Sequence, residues 1–468
     1  MTPPEPLTWT GAAGAVLDPA LALAVAGFVL ALGLRGAARL GLRVGGAERA
    51  VRVAGGLLAA AILAYGVAGV VLPWGMAGIV GAMARQLLPV WVAMGVVLIF
   101  SYAWRSKLGL YGRMIGSPIG RIGFGLVLFW ALTALAAGAL GLVAPHDPLS
   151  VVSGLRNAPP GAPVPGVAAP GPGSHYLLGG DALARDVFSR VVQGSWIVAQ
   201  VAPLATALGV AAGVLLGLPA GYHGGRVDAA LSFLANLVLA FPVILLFYLL
   251  VTPEILATGL PTALAAGIFA VPPVLVALLA WSRLRTEPGR ALAVLGPVLA
   301  GMGWLYLSAV GEAGGRLDLL GRLDLFDLPP GLLAVFVSVA FVNAPTVFRL
   351  VRGLTLDLRT RDYVAAAQTR GESSWHVMLW EILPNARGPL IVDGCLRIGY
   401  TTILLGTLGF FGLGLPPESP DWGSTINAGR RLLSVHPHPA VVPAVALLSL
   451  VLGLNLLADA LREESLKD

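Results

Sequence analysis

Residues 197–221 read "IVAQVAPLATALGVAAGVLLGLPAG", an apolar run without a charged side chain. About twenty such residues are enough to cross roughly 30 Å of hydrocarbon as a helix. The whole chain of 468 residues is 57% hydrophobic and 12% charged, whereas a soluble domain carries about 25% charged residues. We therefore predict an all-α fold, a polytopic transmembrane helical bundle. A β-barrel would instead show segments of about ten residues with alternating polarity.

Apolar runs of this kind recur along the chain and predict about 11 spans by the hydropathy criterion. The shortest, 87–104 and 291–310, are flanked by glycine or proline. The predicted spans are 12–34, 51–72, 87–104, 121–143, 197–221, 228–250, 262–281, 291–310, 331–350, 388–412 and 438–461.

Arginines cluster in alternate connections between these spans, and the positive-inside rule makes those connections cytoplasmic. The N-terminus is then expected outside and the C-terminus inside. Outer loops are predicted at 144–196 and 311–330; the part 154–173 is rich in proline and glycine and is expected to be an irregular linker. The arginine clusters lie within 35–52, 105–121, 283–290 and 349–370.

Residue usage excludes several functions. The only lysines are Lys107 and Lys467, and neither follows a glycine as the lysine of a nucleotide-binding P-loop does. The single cysteine, Cys395, cannot build a thiol metal site, and His436 and His438, each beside a proline, define no metal site. No paired carboxylates or nucleophile motif occurs in the aqueous segments, so we predict no catalysis. The net charge of +6 fits cytoplasmic loops better than nucleic-acid binding.

The longest predicted cytoplasmic loop contains "RDYVAAAQTRGESSWHVMLWEILPNARGPL" at 361–390. Its alanines favour a short helix that stops at Gly371. Ser373 or Ser374 can cap a second helix, which is expected to run until Pro384. From the residues alone, two roles stay open. The helices could dock another protein, or they could lie along the lipid headgroups.

This loop is similar to the "EAA" coupling loop of ABC importer permeases, in which E-A-A is followed by a glycine and then by I-x-L-P. Here Ala365 stands in place of the glutamate, and Glu381 stands in place of the isoleucine, with Ile382 beside it. The flanking "Y-V-x-A-A" and "I-L-P-N-A" resemble the dipeptide, oligopeptide and nickel branch of that family. The resemblance implies a coupling loop at 362–387 that contacts an ATPase through Tyr363, Ala365, Ala366, Ala367, Gly371, Leu383, Pro384 and Asn385.

The outer loop ends in "LGGDALARDVFSRVVQGS" at 178–195, which resembles the branch's G-T-D-x-x-G-R-D-x-x-S-R. Gly180 and Ala184 replace its threonine and second glycine. Further segments that resemble the branch follow in order at 217–231, 239–246, 409–430 and 454–463. The matching residues of this outer-loop motif are Gly179, Asp181, Arg185, Asp186, Ser189 and Arg190.

The resemblance implies a permease subunit of the inner membrane that forms half of a pathway for peptides or a related small solute. A permease core of six spans would lie in 121–468, interrupted by a two-span insertion near 254–330 and preceded by an extra region, 1–120, of about three spans. The substrate, whether dipeptide, oligopeptide, nickel or another solute, stays open.

The resemblance also implies partners. These are a homologous permease, two ATPase subunits that carry ATP and Mg, and an extracytoplasmic solute-binding protein, all at the lipid bilayer; this chain itself would bind no cofactor and no nucleic acid. The outer loops 174–196 and 413–437 are candidates to meet the binding protein. The alternative is an ion-gradient-driven secondary transporter, which predicts ionisable residues near the bilayer midplane. Asp393 and Arg397, four residues apart, could pair on one helix face, and Asn343 is expected to bridge helices.

Overall fold

The described apolar segments that are long enough to cross a membrane are α-helices. A computed structural model describes residues 5–39, 46–167, 169–284, 288–310, 330–413 and 418–465. Within these residues, 8 helices are long and apolar enough to cross a membrane, or up to 10 if each of 2 sharply bent helix pairs forms one span. The remaining apolar stretch, 291–310, contains the shorter apolar helix Leu295–Leu307. The predicted all-α, polytopic fold is confirmed.

The N-terminal part of the chain combines long helices with one small strand pair. Strands β1 (Ala162–Pro163) and β2 (His175–Tyr176) run antiparallel, with Ala162 opposite Tyr176. A 3-10 turn covers Arg105–Lys107 and a π-helical turn covers Leu135–Ala139. The α-helices are α1 (Gly14–Arg39), α2 (Ala47–Val71), α3 (Gly78–Gln86), α4 (Leu88–Ala103), α5 (Gly109–Gly116), α6 (Pro118–Ala134), α7 (Val187–His223), α8 (Gly225–Ala240), α9 (Val243–Val251) and α10 (Pro253–Ala257).

The C-terminal part of the chain contains the predicted insertion, the predicted coupling loop and the closing helices. A π-helical turn covers Val377–Ile382 and a 3-10 turn covers Arg430–Leu432. The α-helices are α11 (Leu260–Phe269), α12 (Val271–Leu284), α13 (Pro288–Val310), α14 (Pro330–Leu358), α15 (Asp362–Thr369), α16 (Ser374–His376), α17 (Leu383–Asn385), α18 (Arg387–Phe411), α19 (Trp422–Gly429) and α20 (His438–Ser465).

The chain divides into two compact units, each of which is built from separated segments. The first unit comprises Met1–Ile99, Phe129–Trp196 and Pro420–Ala446. The second unit comprises Phe100–Leu128, Ile197–Ser419 and Leu447–Asp468. The division of the sequence at residue 120 into an added region and a permease core stays a prediction.

In the first unit, the N-terminal segment packs on the loop 144–196. The amide of Leu7 donates to the carbonyl of Gly161, and His175 Nε2 donates to the carbonyl of Glu5, both at 2.9 Å. The proline- and glycine-rich part of this loop was expected to be an irregular linker. Its described residues are irregular apart from β1, but they are packed and do not form a loose linker. Its apolar side chains bury one another because the loop folds back on itself; the buried cluster is Leu155, Ala158, Ala162, Val164, Tyr176 and Ala184.

In the second unit, α7 and α14 pack along four glycines spaced four residues apart, from Gly209 to Gly221. A Cβ added at Gly213 would lie 2.5 Å from Val347 Cβ, and one added at Gly221 would lie 2.6 Å from Thr355 Cβ. Small residues on one helix face let two helix backbones approach closely within a membrane. The pair therefore forms a close contact along α14 as far as Thr355, near the end of α14 that leads into the coupling loop.

The insertion joins this bundle through two of its helices. Ala265 of α11 is buried against Leu333 and Val337 of α14, and α12 packs against the coupling loop. The predicted outer loop 311–330, whose acidic residues include Glu312 and Asp318, lies outside the described residues except for Pro330. The end of α20 packs near the start of α18, where Ala458 and Leu461 bury Val392.

Candidate functional site

The coupling loop begins with a helix that ends in a glycine turn. α15, here called the first coupling helix, is followed by Gly371 at φ +77°. The amide of Gly371 donates to Gln368 O (2.9 Å) and the amide of Glu372 donates to Ala367 O (3.2 Å). This pair of bonds is the Schellman arrangement, which requires a left-handed residue that glycine adopts without strain. The helix stop predicted at Gly371 is present.

The second coupling helix is the segment Ser374–Asn385, in which α16, the π-helical turn and α17 follow without a break. Of the two candidate caps it is Ser373 that caps it, since its side chain accepts the amide of His376. The segment was expected to run until Pro384, and it ends one residue later, at Asn385. Its buried side chains are Val377, Met378, Leu379 and Ile382.

Packing divides the predicted ATPase-contacting residues into two groups. Ala367 is 0% exposed and belongs to the cluster that joins the loop to α7 and α14. Tyr363 and Leu383 are half-buried against the same cluster, and burial raises the pKa of Tyr363. The other group forms the outward surface, which a partner could reach; it consists of Ala365, Ala366, Gly371, Pro384 and Asn385.

The two departures from the family pattern have structural explanations. Glu381, in the isoleucine position, accepts a hydrogen bond from Arg370 at 3.1 Å and so ties the two coupling helices together. Ile382, its neighbour, is 0% exposed and fills the buried site instead. Ala365 is exposed, so the glutamate that it replaces would point to solvent or to a partner.

The coupling loop is tied to the membrane helices by side chains that the sequence analysis did not single out. Arg359 donates to the carbonyls of Gly221 (3.0 Å) and Tyr222 (3.1 Å) at the end of α7. A cation at this position satisfies terminal carbonyls and complements the helix dipole. Gln368 of the first coupling helix donates to Tyr222 Oη at 3.0 Å. The end of α7 is thus a contact point for the first coupling helix.

The outer-loop motif is a buried cluster of charged groups in the first unit. Asp181 accepts the amides of Leu183 (2.8 Å) and Arg185 (2.9 Å) and the Nε of Arg185 (2.7 Å). The Arg190 Nε lies 3.8 Å from Asp181 Oδ2, and Arg190 is 0% exposed. Charges buried this deeply persist only when they are paired and hydrogen bonded, so Asp181 has a structural reason to be in the motif.

Asp186 caps α7 and holds a histidine that the sequence analysis missed. Its carboxylate accepts the amides of Phe188 and Ser189 (both 3.2 Å) and the Ser189 hydroxyl (2.6 Å). His146 Nδ1 lies 3.0 Å from Asp186 Oδ2, and His146 Nε2 lies 3.0 Å from Gly173 O. Both partners are acceptors, so both bonds form only when the imidazole carries two protons. Burial alone would lower the pKa of His146, but Asp186 and Gly173 outweigh it and the pKa is raised above 6.5.

Residues from the predicted outer loop 413–437 complete this cluster. Arg190 Nε donates to Thr425 Oγ1 at 3.2 Å, and Trp422 Nε1 donates to Val191 O at 2.8 Å. Burial raises the pKa of Asp421, against the lowering effects of its hydrogen bonds and of Arg190. Trp422 belongs to the segment 409–430 that the sequence analysis matched to the family, but no spacing rule pairs that segment with the 178–195 motif. Residues 414–417 of the predicted outer loop 413–437 lie outside the described residues.

Two motif positions depart from the family, and both have unusual geometry. Ala184 has φ +62°, the left-handed region that favours the glycine found there in the family. At Gly180, an added Cβ would lie 2.0 Å from Leu155 O, so this chain leaves no room for the family's threonine. His438 Nε2 also lies 3.2 Å from Gly180 O, which gives this histidine a hydrogen-bonding role at the motif.

Asp393 and Arg397 form an ion pair within α18, and the arginine reaches across to α14. The Arg397 guanidinium donates to Asp393, Thr346 Oγ1 and Asn343 Oδ1. Asn343 Nδ2 donates to Thr401 Oγ1 at 3.2 Å, so Asn343 bridges two helices as expected. Each member of this network is satisfied by its neighbours, which fits a structural tie between α14 and α18.

Residues 213–463 match the family described as binding-protein-dependent transport system inner membrane component. This match covers more than half of the chain. The chain belongs to this family. Membership implies partner ATPases and a binding protein, because transport by this family depends on them.

The permease is similar to three named relatives. It is 29% identical to the glutathione transport system permease protein GsiD of Pectobacterium atrosepticum over 293 residues, 63% of this chain and 73% of the relative. It is 26% identical to the dipeptide transport system permease protein DppC of Alkalihalophilus pseudofirmus over 293 residues, 63% of this chain and 72% of the relative. It is 28% identical to the probable D,D-dipeptide transport system permease protein DdpC of Escherichia coli K12 over 321 residues, 69% of this chain and 79% of the relative.

These matches confirm the prediction of an inner-membrane permease subunit of a peptide-type ABC importer. The permease is a multi-pass membrane protein, and its relatives are named as transport subunits and not as enzymes. The alternative of an ion-gradient-driven secondary transporter finds no support in them.

Proposed function

We propose that the permease forms half of a translocation pathway for a peptide or a related small solute, and that a separate ATPase drives it through the coupling loop 362–387. The observation that carries this proposal is an outward surface formed by Ala365 and Ala366 of the first coupling helix and by Gly371 in the turn after it. The opposite face of that helix is buried against α7 and α14. Alanine carries only a methyl group and glycine has no side chain, so a partner could approach the backbone closely.

The path from the coupling loop into the membrane supports the same proposal. α14 ends at Leu358 and the first coupling helix begins at Asp362, so a push on that helix acts on α14 almost directly. The close glycine contact between α7 and α14 then moves two spans together, because close-packed helices shift as units. Asp228 of α8 pairs with Arg352 of α14 and adds a third helix to this group.

Two packing contacts support the proposed orientation, with the N-terminus outside and the C-terminus cytoplasmic. The N-terminal residues Glu5 and Leu7 are hydrogen bonded to the loop 144–196, which the arginine pattern puts outside. The end of α20 packs beside the start of α18 through Leu461 and Val392, and α18 follows the coupling loop directly.

The proposed partners are a homologous permease as the other half of the pathway, two ATPase subunits and an extracytoplasmic solute-binding protein. ATP and Mg would be bound by the ATPase subunits and no cofactor by this chain. The loops 174–196 and 413–437 are proposed to meet the binding protein. The relatives are named for the transport of glutathione and dipeptides, so a small peptide is the substrate class that we propose to test.

The experiment is co-purification of partner subunits with the full chain in mild detergent, comparing wild type with Gly371→Asp. We expect a P-loop ATPase to co-purify with wild type and to be lost with Gly371→Asp, because the variant strains the turn and adds charge to the outward surface. Gly166→Asp is the matched control: Gly166 also has a positive φ (+84°) with no atom within 4 Å of an added Cβ, but it lies in the outer loop. Failure of any ATPase to co-purify with wild type would overturn the proposal. Loss of the ATPase with both variants would show that the loss is not specific to the coupling loop.

A further inference from the structure

Ser282, in the last turn of α12, makes two hydrogen bonds from the predicted insertion near 254–330 to the coupling loop. Ser282 is 7% exposed. Trp380 Nε1 donates to its hydroxyl oxygen at 2.9 Å, and His376 Nδ1 donates to its carbonyl oxygen at 3.1 Å. His376 and Trp380 are four residues apart in the second coupling helix, so their side chains leave it on one side. Ser282 therefore holds two neighbouring points of that helix.

A cation and an apolar face strengthen the same contact. The Arg283 guanidinium lies 4.7 Å from the centre of the Trp380 ring, within the range of a cation–π interaction. Three leucines of α12 pack against the buried cluster that contains Val377 and Ile382 of the second coupling helix; they are Leu275, Leu278 and Leu279. The contact thus combines two hydrogen bonds, a cation–π interaction and buried apolar surface.

The chemistry of the groups makes this contact specific. The indole N–H of Trp380 can only donate, and a half-buried indole without an acceptor would destabilise the folded protein. Ser282 supplies that acceptor while its own hydroxyl proton is donated to Leu279 O at 3.0 Å. Because the proton points to Leu279, the lone pairs of the hydroxyl oxygen point toward Trp380. The buried hydroxyl of this serine is thus fully hydrogen bonded at the end of an apolar helix.

We infer that α12 of the insertion is a brace for the second coupling helix, and that Ser282 and Trp380 are positioning residues for ATPase coupling. The first coupling helix is already tied to the end of α7 by Gln368 and to the second helix by the Arg370–Glu381 pair. The brace fixes the other side of the second helix. The movement of the closing ATPase is then transmitted to α14 and α18, because the braced loop moves as a unit and does not deform. This inference rests on the proposed function of the loop.

The test uses the complex of the full chain with its ATPase and binding protein, reconstituted in liposomes, and the variants Ser282→Ala, Trp380→Phe and the double variant. Trp380→Phe keeps a ring for Arg283 but removes the N–H. Trp281→Phe is the matched control, because Trp281 is the adjacent α12 tryptophan and is 61% exposed. The probes are the dipeptide Gly-Gly and glutathione, supplied with the binding protein, and the readouts are bound ATPase and the stimulation of ATP hydrolysis.

We expect bound ATPase to stay at the wild-type level while stimulation of ATP hydrolysis falls at least threefold in both single variants. In the double variant, stimulation should fall no further than in either single variant, since both changes remove the same hydrogen bond. Trp281→Phe should match wild type. Hydrogen exchange of 374–385 should rise about tenfold in the single variants, with 362–369 unchanged; this readout needs no substrate. Unchanged exchange, or additive effects in the double variant, would overturn the brace. Absence of ATPase from the wild-type complex would overturn the proposed function instead.

Discussion

The carbonyl oxygen of Leu155 lies 2.0 Å from the point that a Cβ on Gly180 would occupy. The amide of Gly180 also donates to Ala158 O at 3.0 Å, so the folded outer loop is fixed directly on the motif. In the family the position of Gly180 is a threonine. In this permease, the backbone at 155–158 takes the space of that side chain.

Gly180→Thr should therefore destabilise the permease even though it restores the family residue. The clash is with backbone, which cannot move like the end of a flexible side chain, so we expect a loss of about 3 kcal/mol. Thermal unfolding in detergent measures it. Gly171→Thr is the control, since no atom lies within 4 Å of an added Cβ there; equal melting temperatures of the two variants would contradict the clash.

Ala184→Gly should leave stability within about 1 kcal/mol of wild type. Relief of the left-handed backbone at φ +62° gains about 1–2 kcal/mol, whereas loss of a buried methyl group costs about 0.8 kcal/mol and glycine flexibility about 0.5–1 kcal/mol. Ala184→Val should lose more than about 2 kcal/mol, because a β-branched side chain tolerates this region poorly. Comparison of the two melting temperatures checks the order, and a more stable valine variant would refute it.

His146 should make the stability of the first unit fall as the pH rises. Its pKa in the folded protein is raised above 6.5, so its contribution is complete below pH 6.5 and is lost as the pH rises through the folded pKa. The bond to Gly173 or to Asp186 then loses its proton, at a cost of about 1 kcal/mol. Melting curves from pH 6 to pH 9 should show this fall in wild type and not in His146→Gln; the same slope in both would exclude His146 as its origin.

Gly213→Leu should separate α7 from α14 and disrupt the second unit. An added Cβ already lies 2.5 Å from Val347 Cβ, and a longer side chain cannot be placed without moving a helix, which we expect to cost about 3 kcal/mol or more. Gly353→Leu on α14, where no atom lies within 4 Å of an added Cβ, should fold normally. The yield of monodisperse protein in detergent separates the two, and normal folding of both would disprove the close contact.

Ala365→Glu and Ala367→Glu should differ sharply although they lie two residues apart. Ala365 is exposed, so its glutamate restores the family residue, should change stability by less than about 0.5 kcal/mol and should keep the ATPase bound. Ala367 is 0% exposed, and a carboxylate there would lack a partner and cost several kcal/mol. Melting temperature and ATPase co-purification are the measurements; a stable Ala367→Glu protein would contradict the packing.

The sequence alone determined the membrane helices and the two motifs. Apolar runs such as 197–221 must form helices in a bilayer, because every backbone N–H and C=O in hydrocarbon needs a partner within the segment. The stop at Gly371 was likewise readable, since a left-handed turn after a run of alanines favours glycine. These are local properties, which neighbouring residues fix by themselves.

Only the tertiary structure decided which side chains meet. Loop packing brings His146 to Asp186 and Thr425 to Arg190. Ser282 meets Trp380 across 98 residues of sequence. Packing alone also makes Ala365 exposed and Ala367 buried. A contact between distant segments depends on how the chain folds back, and no local spacing encodes it. The sequence therefore determined what each helix is, and the packing of the helices decided which residues hold the coupling loop and the outer-loop motif in place.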